Sequence, residues 1–184
     1  MIRKSVIAIL ESTGPVVEST TVPVFKPSVT IFEPASSVLE SRVSILDSAI
    51  AEIAEAVTRA HGDSTGAPYY FAQVTFNEVK PGNYFLGGTL LDGDQIFVHG
   101  TIREGRPTDM KDALMARLTA DVAIASQMKP NCVWVYLSEL PPNQMVEFGR
   151  VLPLPGKEAE WSAALPEAEK ARLENIGIRR EAVA

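Results

Sequence analysis

The sequence predicts a mixed α/β (α+β) domain made by tandem duplication: two β-α-β units forming a four-stranded sheet with two helices on one face. Two observations carry this. The apolar residues switch from strand-like alternation to helical spacing and back, in the order strand, helix, strand, twice along the chain. The two rounds also keep register. Glu78-Val79 followed by Pro81 matches Glu139-Leu140 followed by Pro142, and Gly88 matches Gly149, at one offset (139 − 78 = 61; 149 − 88 = 61). A shared offset across separate pairs is the mark of a repeat, and Asp47 falls opposite Thr108 on the same ruler.

Residues 1 to about 43 are rich in Ser, Thr, Pro and Val and read as extended chain and loops, with VPVFKPSVTIF (22–32) as a candidate strand interrupted by Pro27. Leu46, Ile50, Ile53 and Val57 then recur at helical spacing. Ser44 and Asp47 are placed as a capping box and Gly62 is placed to stop that helix. YYFAQVTFNEV (69–79) is aromatic and β-branched and reads as a strand with KPGN as its turn. In the second round QIFVHGTI (95–102) is a strand, Met110, Leu114, Leu118 and Val122 mark a helix, and NCVWVYLSEL (131–140) is a strand closed by Pro141 and Pro142. A helix joining two strands of one sheet implies parallel pairing. The open sheet face needs a cover, for which a second copy of the chain is the natural choice. The divisions expected are an extension at 1–22, a domain at 23–165 with halves near 23–88 and 95–150, and a helical tail at 166–184 whose helix runs from about Pro166 to Glu174.

The 184 residues suit one core. A 46% hydrophobic and 22% charged composition is that of a globular protein in water, and a net charge of −6 argues against nucleic acid or an anionic membrane as the main partner. Cys132 is the single cysteine, so no disulfide can close within the chain. With only His61 and His99 besides, a metal centre is not expected. MIRKSVIAILE is too short an apolar run for a leader or a membrane span, which makes the cytoplasm the expected location.

Chemistry concentrates in IFVHGTIREGRPTDM, where Arg103 and Arg106 stand three apart around Gly105 as a strand runs into a loop. Two planar guanidinium forks so spaced can clamp a small anion such as a carboxylate; the plain alternative is a solvated turn. His61 ends the first helix, where the negative end of the dipole favours an imidazolium. Tyr136 alternates with Trp134 on a strand, and Glu147 lies among apolar neighbours in PPNQMVEFGRVLP, where a carboxylate has to be partnered or have a raised pKa. Together they describe a site for a small carboxylate, with Arg103, Arg106 and His61 holding the anion and Tyr136 and Glu147 orienting and activating water.

The run from His61 to Trp161, with FAQVTFNEV, PGNYFLGG, IFVHGTIREGR, VWVY, QMVEFGR and LPGKEAEW, resembles the cis-3-chloroacrylic acid dehalogenases of the tautomerase superfamily. The resemblance implies a homotrimer of duplicated β-α-β units and a cofactor-free hydratase that adds water to a cis-3-haloacrylate, loses halide and yields malonate semialdehyde. It carries His61, Arg103 and Arg106 over as the residues that hold the substrate carboxylate, and Tyr136 and Glu147 as those that activate water. The front departs from the pattern. The family uses a free N-terminal proline as acid or base, whereas this chain begins Met-Ile, and a proline nitrogen inside a chain has no basic lone pair. Two prolines compete for the family position: Pro34 by gapless counting, which sets it opposite Gln95, and Pro23 by its strand-like context. A tautomerase, hydratase or dehalogenase acting on a small unsaturated acid is therefore set against a non-catalytic trimeric carboxylate-binding or assembly protein.

Overall fold

The computed structural model describes residues 5–10, 36–176 and 178, with side-chain surroundings from residue 49 onward. In chain order its elements are β1 (Ser5–Leu10), α1 (Ser36–Thr65), β2 (Val74–Glu78), β3 (Phe85–Leu86), β4 (Thr89–Leu90), β5 (Ile96–Arg103), α2 (Thr108–Ala125), β6 (Val133–Leu140), β7 (Val146–Glu147), β8 (Arg150–Val151), α3 (Glu158–Ala163) and α4 (Glu167–Glu174). The main sheet has the order β2-β1-β5-β6. β5 and β6 pair in parallel from Ile96↔Val133 to Arg103↔Leu140, with α2 as the crossover.

The first half departs from expectation. Ser5–Leu10, assigned from sequence to an extension, supplies the strand beside β2 and β5, running parallel to β5 and antiparallel to β2. The parallel rule fails here because residues 11–35 lie between β1 and α1. A connection of that length can return the chain to either end of a sheet, whereas the short links around α2 cannot. The candidate strand at 22–32, with Pro23, lies outside the described residues, as does Pro34.

Both helices pack on one face. Ile53, Val57 and Ala60 of α1 and Leu114, Leu118, Val122 and Ala123 of α2 close over Ile96, Val98, Ile102 and Val133, with Val74, Phe76, Val135 and Leu137 at the margin. Period-2 alternation sends Phe97, His99, Trp134 and Tyr136 to the opposite face. There Tyr136 is 58% exposed. No helix among the described residues is long and apolar enough to cross a membrane.

The offset of 61 extends well beyond the residues that first showed it. The 3-10 turn at Tyr69–Phe71 maps onto that at Pro130–Cys132, the β3–β4 hairpin onto β7–β8, and the bond from Leu91 N to the Tyr84 carbonyl onto that from Leu152 N to the Met145 carbonyl. Even the left-handed residue after each helix corresponds, Gly66 (φ 75°) with Gln127 (φ 55°). The match ends at the front. β5 maps onto 35–42, and that stretch is helical from Ser36. α1 thus begins eight residues before Ser44, the start expected from sequence, because nothing after Pro34 forbids a helix. It also runs past Gly62 to Thr65, and Gly66, whose N–H bonds the Gly62 carbonyl at 2.9 Å, provides the left-handed stop.

Candidate functional site

The arginine pair forms where β5 ends. Gly105, at φ 106°, turns the chain back immediately after the strand, and the Glu104 N–H bonds the Leu140 carbonyl at 2.8 Å. Arg103 is fully buried and Arg106 nearly so, which removes the solvated-turn alternative. Arg106 Nη1 donates to the Arg103 carbonyl at 2.9 Å, so the backbone of one arginine fixes the guanidinium of the other. Arg103 donates through Nη1 to the Pro153 carbonyl at 2.9 Å and through Nη2 to Glu158 Oε1 at 2.8 Å, and its guanidinium lies 5.1 Å over the Phe71 ring. A buried cation is tolerable on such terms only, paired and hydrogen-bonded with an aromatic face beneath it.

His61 is 1% exposed and Glu147 is 3% exposed. His61 does not end α1 as its sequence position suggested, because the helix continues for another turn beyond it. Glu147 ends β7 and pairs with Arg150 across a two-residue turn in which Phe148 (φ 50°) and Gly149 (φ 72°) are both left-handed. Phe71, which lies beneath Arg103, belongs to an apolar cluster with Ala67, Met145 and Leu152, against which Tyr70, Phe148 and Trp161 pack. Trp161 is held twice, its ring 5.4 Å from Phe71 and its Nε1 donating to the Val151 carbonyl at 2.9 Å.

Tyr136 is not brought to this cluster within the chain. Its partner across the ladder is His99, four residues before Arg103, a separation of about 13 Å along the strand. It stands on the open face with Phe97 edge-on at 4.8 Å. A surface cleft of about 530 Å³ between the Tyr69–Phe71 turn and α4, lined by Tyr70, Leu173 and Ile176 among others, includes none of the five candidate residues. Beside it, burial pushes the Tyr70 phenol above its usual range, opposed by its 2.6 Å hydrogen bond with Ser162 Oγ.

Glu158 is the residue that sequence reading missed. It sits in GKEAEW, a charged stretch with the pattern of a solvated turn, and is joined to Arg103 only by the fold, 55 residues apart. Its one sequence signal was Trp161 three residues on, an aromatic that has to be buried somewhere. Among the described residues no group of three His, Cys, Asp or Glu is placed to hold a metal ion.

No family model and no curated protein matches the chain. Solved structures do. A crystal structure of N1, a member of the cis-3-chloroacrylic acid dehalogenase family, is 28% identical, covers 94% of this chain and 99% of its own, and superposes with a TM-score of 0.67. A symmetric trimer of a fused 4-OT is 17% identical over 81% of this chain and 94% of its own, with a TM-score of 0.54. Pt0534 inactivated by 2-oxo-3-pentynoate is 18% identical over the same shares, with a TM-score of 0.52. The fold is that of the tautomerase superfamily, and within it the chain is similar to the cis-3-chloroacrylic acid dehalogenase family, in agreement with its sequence motifs.

Proposed function

We propose that the protein is an enzyme acting on a small unsaturated carboxylic acid by cofactor-free hydration, with a cis-3-haloacrylate as the substrate type. The observation that carries this is the buried arginine pair at the end of β5, with Arg106 bonded to the Arg103 carbonyl. The likeness to N1 supports the same reading. In it, Arg103, Arg106 and His61 hold the substrate carboxylate. Glu147 takes a proton from water as its oxygen adds at C3, C2 takes a proton from solvent, and the resulting halohydrin loses its hydroxyl proton and halide to leave malonate semialdehyde. We further place the chain in a homotrimer. The open sheet face, where Phe97, Trp134 and Tyr136 gather, would be covered by neighbouring copies, and Tyr136 would then serve a neighbour's site.

A second reading, a trimeric carboxylate-binding or assembly protein without catalysis, is favoured by one observation. Pro23 and Pro34 are both bonded within the chain, so neither offers the basic amine needed to protonate C2. Proton NMR of cis-3-chloroacrylate incubated with the full chain, together with chloride release, separates the two. Turnover sustains the enzyme, binding without turnover sustains the second reading, and neither binding nor turnover overturns both.

A further inference from the structure

Glu158 is 8% exposed and gives one carboxylate oxygen to Arg103 at 2.8 Å. Its helix is tied down independently: Trp161 of α3 is bonded to Val151 and packed on Phe71, while the Pro153 carbonyl occupies another Arg103 nitrogen. Arg103 in turn holds Arg106 through its carbonyl. A line of fixed contacts therefore runs from Glu158 to Arg103 to Arg106, and its first member is an anion.

That anion has two effects. It fixes the plane of the Arg103 guanidinium. It also offsets one of the two arginine charges, so a ligand beside the pair meets a net charge nearer one than two, and a second negative charge on the ligand is met by repulsion from Glu158. We propose that Glu158 is a positioning residue that, acting through Arg103, sets the site to take a monoanion and disfavour a dianion. The proposal rests on the carboxylate-site reading above and adds a substrate class to it.

Maleate and cis-3-chloroacrylate share a cis-alkenoate frame and differ in bearing a second carboxylate or a chlorine at the far carbon, which makes them a matched pair. Their binding to the full chain is measured by calorimetry near neutral pH. In Glu158→Gln the affinity for maleate is expected to rise relative to that for chloroacrylate by about tenfold or more, as removal of a nearby buried charge requires. Glu158→Asp keeps the charge but shortens its reach, so both acids are expected to bind more weakly at an unchanged ratio. A merely structural role would weaken both acids in both variants and leave both ratios alone.

An unmoved ratio in folded Glu158→Gln overturns the proposal. If that variant does not fold, the same ratio in Glu158→Met decides, and an unmoved ratio overturns it. Wild-type protein that binds neither acid removes the carboxylate-site reading itself. Wild-type protein that binds with Arg106-dependent affinity, while the Glu158 variants change nothing, removes this inference alone.

Discussion

Gly62 faces the ring of Tyr69. A Cβ at that position would lie 2.5 Å from Tyr69 Cε1, nearer still to Cδ1, and 3.1 Å from the Ala67 carbonyl. The ring has little room to give, since Tyr69 Oη donates to Asp63 Oδ1 at 2.6 Å and Arg117 of α2 donates to the other oxygen of Asp63 at 2.8 Å. The glycine is there for close approach. Gly62→Ala is therefore expected to destabilise by about 1–3 kcal/mol, the usual cost of overpacking. Gly66→Ala, at φ 75° with open space around it, should cost about 1 kcal/mol for backbone conformation alone. Urea unfolding midpoints of the two variants should rank accordingly, and equal midpoints would mean that Tyr69 moves freely.

This glycine also shows where sequence reading stopped. A Gly after a run of helical apolar residues reads as a stop, and only the packing of Tyr69 reveals the other reason for having no side chain. The repeat was legible because turns, hairpins and left-handed residues are local and recur at one spacing. The arginine pair was legible because two like charges three apart at a strand end are unusual. Its partner Glu158 was not, since an ion pair across 55 residues leaves no local trace. Neither was the antiparallel placement of Ser5–Leu10, which a long connection permits but no residue pattern announces.

Phe148 occupies a turn position that the first hairpin gives to Gly87 (φ 58°), and it does so at φ 50°. A bulky residue pays for that conformation in backbone energy. The ring is placed 6.2 Å from Tyr70 and 6.5 Å from Trp161, with Arg172 over its face at 5.9 Å. Phe148→Ala loses the ring and keeps the strain, while Phe148→Gly loses both. The glycine variant should be at least as stable as the alanine variant, by up to about 1 kcal/mol. Thermal melts of the two settle the order, and a clearly more stable alanine variant would contradict a strained turn.

Arg103→Ala would strand Glu158 as a buried anion. Removing one member of a buried pair costs about 3–5 kcal/mol, whereas replacing both by apolar residues of similar volume is often neutral. Arg103→Ala should therefore unfold at much lower urea than the double variant Arg103→Met/Glu158→Leu, although neither retains the charged clamp. Equal losses in both would show that the pair contributes shape and no electrostatic coupling.

Tyr136 and Phe97 stand together on the sheet face that the helices leave open. If copies of the chain cover that face, a charge placed there should prevent assembly without unfolding the domain. Tyr136→Glu is expected to sediment as a monomer with an unchanged far-UV spectrum, and Tyr136→Phe to assemble as the wild type does. A wild-type chain that sediments as a monomer at micromolar concentration would remove the trimer from the proposal.

Tyr70 gives the fold a sensitivity to alkali. Desolvation holds its pKa above the ordinary 10.0 in the folded state, with the Ser162 bond pulling the other way. The unfolded chain releases the phenol proton at the ordinary value, while the folded chain keeps it until higher pH. Stability from this group is therefore fully present below the ordinary value and is lost as pH rises through the folded one. Tyr70→Phe removes the titration together with one hydrogen bond. Wild-type midpoints in urea should fall from about pH 10 upward, and those of Tyr70→Phe should start lower and fall less. Parallel curves for the two proteins would assign the alkaline loss to other groups.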